Sequence, residues 1–247
     1  MNIVKILFYS LLIMYISGCA KNNLPNDFVF LTDVVPTIIE NVRYSTDKNF
    51  LGRPIVGYTS DRIICTRATA EKLKAVSQDF AKQGYKIVVY DGYRPQRSVD
   101  EFIKWSKVIG DQDAKSYYYP TIDKKNVFKL GYVAEKSGHT RGSTLDLTII
   151  KDDQKLKPIV YSKRKLLNGE EIPFLNDNTV DMGSSFDLFH EVSHHDNKLI
   201  EEKYLERRNI LRNTMKKHGF TDYHEEWWHY TLENEPYPDT YFNFIVK

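Results

Sequence analysis

The sequence predicts an α+β fold in a single domain, with helices flanking a small mixed or antiparallel sheet. Helical and strand patterns are interspersed along the chain without the regular strand–helix alternation that indicates a parallel sheet. After the N-terminal region there is no linker-like stretch and no internal repeat, and 247 residues suit one substantial domain. These observations favour one continuous core over a chain of modules.

Three segments show the apolar spacing of amphipathic helices, and three shorter ones are rich in β-branched or aromatic residues, as strands are. The predicted helices span 67–83, 95–108 and 197–218, and the predicted strands span 85–90, 144–150 and 227–232. In the strand 144–150, Leu145, Leu147 and Ile149 would share one face and Asp146 would point to the other.

The composition is that of a globular domain, with 41% hydrophobic and 28% charged residues. A formal net charge of +2 leaves no broad excess of lysine and arginine for contacts with phosphates. We therefore expect no nucleic-acid partner.

The N-terminus has the features of an export signal. Residues 1–5 carry one positively charged side chain, and an apolar run at 6–16 precedes Ser17-Gly18-Cys19. The run is short for a permanent transmembrane helix, and its ending resembles the bacterial lipoprotein signal, in which the cysteine becomes lipidated. The alternative is an N-terminal anchor helix that is not cleaved.

These features predict a lipoprotein-type signal peptide at 1–19, a short tether at 20–27 and a folded domain at 28–247. The expected location is outside the cytoplasm, with a lipid on Cys19 holding the chain to a membrane that faces the periplasm or the cell exterior. Cys65 is then the only other cysteine, which excludes a disulfide framework and a cysteine-based zinc cluster. Its apolar neighbours favour buried packing over a role as nucleophile.

Three short segments combine turn residues with ionisable ones. They are Asp91-Gly92-Tyr93-Arg94-Pro95, the stretch from Ser137 to Asp146, and Glu225-Glu226-Trp227-Trp228-His229-Tyr230. His139, Asp146 and His229 offer two imidazoles and a carboxylate, which is a plausible zinc set with a fourth position left for water. From spacing alone, structural histidines remain the alternative.

Two further residues would complete a catalytic set. Glu226 could accept a proton from water, and Arg94 could supply a fixed positive charge to an oxyanion. In a regular strand, however, residues three apart point to opposite faces, so Glu226 and His229 could not both face one metal. Either Glu226 precedes the strand or a bulge intervenes.

The same segments resemble the D-Ala-D-Ala dipeptidase family of vancomycin resistance, which is related to D,D-carboxypeptidases and to the hedgehog zinc domain. The resemblance runs from about residue 33 to the C-terminus. The matching elements are Gly92-Tyr93-Arg94-Pro95, Ser137-x-His139-x-x-Gly142-x-x-x-Asp146, Asp181-Met182-Gly183-Ser184-Ser185-Phe186-Asp187 and Glu226-Trp227-Trp228-His229-Tyr230.

This resemblance implies one zinc ion held by His139, Asp146 and His229, with Glu226 as the general base and Arg94 stabilising the oxyanion. It further implies that Ser137 and Asp181 orient a small D,D-dipeptide, although Asp181 could equally be a turn or capping residue. The neighbouring aromatic residues are expected to pack around the site rather than to react; they are Tyr93, Trp227, Trp228 and Tyr230.

A competing pattern is His190-Glu191-Val192-Ser193-His194, which matches His-Glu-x-x-His. On a helix that spacing places two imidazoles on one face for zinc. Here the segment continues into polar residues and looks like the lead-in to a helix. We interpret these histidines as surface or rim residues.

The resemblance thus predicts a zinc peptidase that hydrolyses D-Ala-D-Ala to free D-alanine, in cell-wall dipeptide turnover or in glycopeptide resistance. A D,D-carboxypeptidase or endopeptidase acting on peptidoglycan stem peptides is the nearest alternative. A non-catalytic binding module that retains the zinc fold is another, but it would have no use for Glu226.

Overall fold

The centre of the fold, in a computed structural model that describes residues 24–247, is a five-stranded sheet. The strands within these residues, in chain order, are β1 (Phe28–Phe30), β2 (Ile39–Glu40), β3 (Ile64–Thr66), β4 (Tyr85–Asp91), β5 (Thr144–Lys151), β6 (Val160–Lys165), β7 (Glu171–Asn176), β8 (Phe220–Tyr223) and β9 (Glu226–Leu232). The central sheet has the order β2-β4-β5-β9-β8, and only the β2–β4 pair is parallel. Strands β1 and β3 form a small second sheet, and β6 and β7 form a hairpin.

Helices cover the sheet. They are α1 (Leu31–Val34), α2 (Arg67–Lys82), α3 (Gln96–Lys107), α4 (Lys115–Tyr118) and α5 (Glu202–Lys217). Helix α2 packs on β4, α5 packs on β8, and the two helices contact each other, so they lie on the same side of the sheet. The apolar stripe of α2 (Leu73, Val76, Phe80) is fully buried, and the backbone N–H of Thr69 donates to the Thr66 side chain at the helix start.

The predicted α+β class is confirmed, and most predicted helices and strands match the observed ones in position. Helices α2 and α3 and strands β4, β5 and β9 lie within one residue of the predicted bounds. Helix α5 begins at Glu202 instead of residue 197, because a turn occupies the preceding residues. Strand β5 is buried on both faces, since it is the central strand. The hairpin and β8 were not predicted, and the domain boundaries stay a prediction.

Two irregularities interrupt the central sheet at the same end. Between β4 and β5, Val89 pairs with Leu147 and Asp91 with Asp146, so Tyr90 is an extra residue. Between β8 and β9, Asp222 pairs with Tyr230 but Tyr223 pairs with Glu226. Residues 227–229 of β9 therefore have no partner on β8, and we call this bulge the β9 excursion. Each break changes which face the following side chains occupy.

The β6–β7 hairpin projects from the domain and packs on its own apolar cluster. The cluster contains Leu166, Ile172, Leu188, Val192, Ile200, Tyr204 and Leu205. Arg164 of β6 forms two hydrogen bonds, of 2.7 and 2.5 Å, with the carboxylate of Asp181. The hairpin is therefore fixed to the segment before α5 by both apolar and ionic contacts.

The predicted signal peptide, Cys19 and most of the tether lie outside the described residues. Within residues 24–247, no helix has the length and apolar character needed to cross a membrane. Cys65 is fully buried, and burial raises its pKa, in agreement with a packing role.

Gly142 makes a tight turn between the short helix at Gly138–Arg141 and β5. Its φ is +82°, and a Cβ here would overlap the ring of Phe28. We expect Gly142→Ala to lower the free energy of unfolding by about 2–5 kcal/mol, because left-handed strain of about 1–2 kcal/mol adds to overpacking of about 1–3 kcal/mol. Urea unfolding measures this change.

Gly169 is the matched control, because its φ is +90° but nothing lies within 4 Å of its Cβ position. Gly169→Ala should show only the strain, about 1–2 kcal/mol. Equal losses for the two variants would mean that the contact with Phe28 adds nothing.

Candidate metal centre

Three elements bring His139, Asp146 and His229 together. His139 lies in the short 3₁₀ helix Gly138–Arg141, Asp146 near the start of β5, and His229 in β9. Asp146 and His229 are direct partners across the β5–β9 pair. One ligand atom from each residue lies within 4.8 Å of the others, and no other such group occurs among the described residues.

The ligand atoms of this cluster face one another at short range, with Nε2 of His139 lying 3.4 Å from Nδ1 of His229. Nε2 of His139 lies 3.3 Å from Oδ2 of Asp146, and Nδ1 of His229 lies 3.2 Å from Oδ1. Oδ1 of Asp146 is buried and makes no hydrogen bond. Two imidazole nitrogens and a carboxylate, converging with a buried acceptor left over, suit a divalent cation such as zinc.

His139 is fixed by its other ring nitrogen. Nδ1 lies 2.8 Å from the carbonyl oxygen of Gly92, so an N–H there donates and leaves the Nε2 lone pair facing the cluster. Asp91 is 3.6 Å from the same Nδ1, and its carboxylate accepts hydrogen bonds from Tyr58 (2.7 Å) and Arg94 (2.9 Å). The Asp91-to-Pro95 segment thus supports the metal ligands from behind.

Glu226 lies beside the cluster, with Oε2 3.2 Å from Nδ1 of His229. The β9 excursion makes this possible, because it lets residues three apart face the same side. Burial raises the pKa of Glu226, which brings a carboxylate closer to the range in which it can accept and return a proton.

Arg94 is buried at the edge of the same cluster. Its Nη2 lies 3.4 Å from Oδ2 of Asp146, and its guanidinium stacks 4.9 Å from the ring centre of Tyr44. The Asp91 and Tyr44 contacts hold the plane of the guanidinium, so a positive charge is positioned before any substrate arrives.

The protonation of the cluster depends on its occupancy. Burial acts to lower the pKa of His229, but contact with the carboxylates of Asp146 and Glu226 outweighs it and raises the pKa to about 9. Burial acts to raise the pKa of Asp146, yet the two histidines lower it. Metal binding at this cluster therefore competes with protonation of His229.

A cavity of about 220 Å³ opens over these residues. Besides the ligands, Glu226 and Arg94, its walls are Tyr44, Phe50, Phe102, Gly131, Tyr132, Val133, Ala134, Ser137, Asp187 and Tyr223. Ser137 lies in the wall as the resemblance implied, and its Oγ accepts a hydrogen bond from the backbone N–H of His139. The expected packing aromatics Tyr93, Trp227, Trp228 and Tyr230 are all buried and lie outside the lining.

Asp181 does not line this cavity, so the geometry does not support its predicted role in substrate orientation. Its carboxylate pairs with Arg164 of β6, and Oδ1 also accepts the N–H of Gly183. The turn-residue alternative fits these contacts. The acid that reaches the cavity is Asp187, at the other end of the same segment.

Asp187 is the functional residue that sequence reasoning missed. It is buried, has a φ of +60°, and accepts a 2.9 Å hydrogen bond from the Tyr44 hydroxyl. Burial, followed by the charges of Asp146 and Glu226, raises its pKa well above the ordinary value. The sequence feature that could have indicated it is its position between Phe186 and Leu188. An acid inside an apolar run is expected to be buried, and burying a charged group is costly unless it is paired.

The His-Glu-x-x-His segment is not a metal site among the described residues. Residues Glu191–Ser193 form a short 3₁₀ turn, on which the two histidines do not share a helical face. His190 accepts the N–H of Val192 and contacts Glu170 at 3.1 Å. His190 is buried and caps the 3₁₀ turn, so the surface half of the surface-or-rim interpretation is wrong for it. His194 is partly exposed.

The α+β fold and the buried His–Asp–His set, with an adjacent acid and arginine, define a metal-dependent hydrolase centre. The sequence profile of the D-ala-D-ala dipeptidase family matches residues 25–159 and 175–247. D-alanyl-D-alanine dipeptidases from Enterococcus faecalis and Enterococcus faecium are 40% and 39% identical to this chain over 90% and 89% of its length, and over 99% and 98% of their own. One from Streptomyces coelicolor is 38% identical over 89% of this chain and 98% of its own.

The chain belongs to the D-ala-D-ala dipeptidase family, whose members are zinc metallopeptidases. The resemblance seen in the sequence is thereby confirmed. The first stretch of the profile match contains His139 and Asp146, and the second contains His229. Residues 160–174, most of the β6–β7 hairpin, fall outside the match.

We expect Asp146→Asn to weaken zinc binding by more than roughly 100-fold, because it removes the charged ligand and leaves a neutral amide between two imidazoles. Metal analysis after dialysis against buffered zinc measures the loss. The matched control is the double variant His190→Ala/His194→Ala, which should keep about one zinc ion per chain. Loss of zinc from the double variant alone would move the metal site to the His-Glu-x-x-His segment.

Proposed function

We propose that the protein hydrolyses D-Ala-D-Ala to two molecules of D-alanine with one zinc ion at the His139–Asp146–His229 cluster. The observation that carries the proposal is the small size of the cavity over the cluster, about 220 Å³. Pockets for drug-sized ligands typically measure about 300–1,000 Å³, so this one suits a very small substrate. The names of the relatives supply the particular dipeptide.

Zinc is the ion that best fits two imidazoles and one carboxylate, and when bound it supplies Lewis-acid polarisation of a carbonyl and makes water more acidic. The chain contributes the remaining chemistry. Glu226 is close enough to His229 to take the proton of an attacking water and to pass it to the leaving amino group. Arg94, fixed by Asp91, holds its charge where the carbonyl oxygen becomes negative.

Asp187 supports recognition of a free dipeptide. It is a buried carboxyl group that faces the cavity and holds one hydrogen bond from Tyr44. The ammonium group of D-Ala-D-Ala would provide the positive charge that this acid lacks in the free protein, and a buried charge is stable only when paired. An acylated amino group would leave Asp187 without that partner.

The requirement for a free amino group on the substrate distinguishes a dipeptidase from the alternative functions. A D,D-carboxypeptidase or endopeptidase must accept a long acylated stem peptide, for which a 220 Å³ cavity lined by Asp187 is unsuited. A non-catalytic module has no need for a buried Glu226 beside the ligands. Both alternatives remain outcomes of the experiment below.

We further propose that the domain is exported and held to a membrane by a lipid on Cys19. The support is the apolar run and Ser17-Gly18-Cys19 in the sequence, together with a family match that begins only at residue 25. An enzyme in that location would meet D-Ala-D-Ala released from the cell wall. Dipeptide turnover is therefore the role we favour over glycopeptide resistance.

The direct test is release of D-alanine from D-Ala-D-Ala by the purified zinc-loaded chain. We expect Glu226→Gln to lower kcat by about 10²–10⁴-fold with zinc retained, because the proton acceptor is lost while the ligands remain. Asp187→Asn should instead raise KM most strongly. Release of D-alanine from a pentapeptide stem but not from the dipeptide would favour the carboxypeptidase, and no turnover of either peptide would favour the binding module.

For the anchor, we expect the full chain expressed in bacteria to fractionate with membranes and to carry an added acyl mass on Cys19. Cys19→Ser should abolish the added mass, whereas the control Cys65→Ser should keep it, because that thiol is buried. An intact N-terminus without acyl mass in the wild-type chain would instead indicate an anchor helix that is not cleaved.

A further inference from the structure

One side chain extends over the mouth of the metal cavity. Tyr223, the last residue of β8, is 36% exposed, yet it also lines the cavity. Its ring lies 5.5 Å from the ring of His229 at an angle of 61°. Tyr223 therefore lies between the metal cluster and solvent.

The hydroxyl of Tyr223 contacts both sides of the opening. It lies 2.9 Å from Oε2 of Glu225, in the turn between β8 and β9, and 3.3 Å from the carbonyl oxygen of Gly131. Gly131 belongs to the loop at residues 127–137, which contributes Tyr132, Val133 and Ala134 to the opposite wall. Tyr223 thus connects the two walls of the cavity.

Gly131 is the residue that allows this close approach. Its φ is +82°, and a Cβ added there would overlap the carboxylate of Glu225 and lie 3.0 Å from the Tyr223 hydroxyl oxygen. A larger residue at position 131 would be strained at this φ and would require the Glu225 carboxylate to move. Glycine therefore lets the loop approach Tyr223 and Glu225 closely.

The two sides of this contact differ in secondary structure. Tyr223 is held by β8, and its neighbour Glu226 belongs to the central sheet. The loop at 127–137 contains turns but no strand, and its Tyr132 stacks on Phe189 at 5.2 Å. Opening of the cavity would therefore move the loop and leave the metal ligands in place.

We propose that Tyr223, Glu225 and Gly131 form a clasp that sets the maximum length of peptide the site accepts. The proposal rests on the proposed dipeptidase activity and deepens it, because it assigns the exclusion of longer D,D-peptides to a specific contact. Tyr223 and Gly131 both line the 220 Å³ cavity, so the contact between them narrows its opening, and a peptide that extends past them would have to break it.

The test compares kcat/KM for D-Ala-D-Ala, D-Ala-D-Ala-D-Ala and N-acetyl-D-Ala-D-Ala in the zinc-loaded full chain. Tyr223→Ala removes the ring and both contacts. We expect the ratio of kcat/KM for a longer peptide to that for the dipeptide to rise at least about ten-fold, the scale on which a steric wall discriminates. Tyr223→Phe, which keeps the ring but breaks the hydroxyl contacts, should give a smaller rise in the same direction.

Tyr117→Ala is the matched control, because Tyr117 is 41% exposed and does not line the cavity. Its ratios should equal those of the wild type. If both Tyr223 variants still cleave the dipeptide with wild-type ratios, the clasp does not set the length limit. If Tyr223→Ala cleaves no peptide, the test rests on Tyr223→Phe. A raised ratio of kcat/KM for a longer peptide to that for the dipeptide supports the clasp, and a wild-type ratio contradicts it.

Failure of the proposed function gives a different result. A wild-type chain that cleaves none of these peptides contradicts the dipeptidase proposal, and hydrogen exchange then tests the clasp without turnover. Amides at 127–137 should exchange faster in Tyr223→Phe than in Tyr117→Ala. Equal exchange rates would overturn the clasp as well.

Discussion

The pairing of β5 with β9 is the constraint on which the site depends. It places Asp146 directly opposite His229, and the short helix that precedes β5 brings His139 to the same end of the sheet. Three groups that compete for protons thereby lie within a few ångströms of one another, with His139 and Asp146 buried and His229 partly buried. Such an arrangement is unfavourable for a free chain, because burying a charged group without a partner is expensive. The rest of the fold keeps the three residues in place.

The irregularities of the sheet serve that arrangement. The extra residue at Tyr90 brings Asp91 opposite Asp146, where it accepts hydrogen bonds from Tyr58 and Arg94 behind His139. The β9 excursion turns Glu226 toward the ligands. A regular sheet of the same length would present at most alternate residues to one face. Both breaks lie beside the metal cluster, where they let more ionisable side chains face one side of the sheet than regular strand pairing would.

The sequence predicts features that depend on neighbouring residues better than features that depend on residues far apart in the chain. Helix α2 and strand β5 are predicted almost to the residue, because local periodicity defines both and Gly84 marks the end of the helix. The cluster of His139, Asp146 and His229 needed the family resemblance, since separations of seven and 83 residues carry no geometric signal of their own. The clasp at Tyr223 could not be predicted at all. It depends on a loop with no periodic pattern that approaches β8 through tertiary packing.

Asp181 and Asp187 show why a matching motif does not assign every residue within it. The two acids flank one segment, and Arg208 of α5 holds that segment by donating to the carbonyl oxygen of Met182 and to the Ser184 hydroxyl. Burial lowers the pKa of Arg208 to about 9, so it remains charged at neutral pH without a carboxylate partner.

With the backbone of the segment fixed in this way, the direction of each acid follows from its neighbours. Asp187 is drawn to Tyr44 in the cavity, and Asp181 is drawn to Arg164. Arg164 lies in residues 160–174, the part of the hairpin outside the family match. The Asp181 contact is therefore a local feature that accompanies the hairpin, whereas Asp187 serves the site that the chain shares with its family.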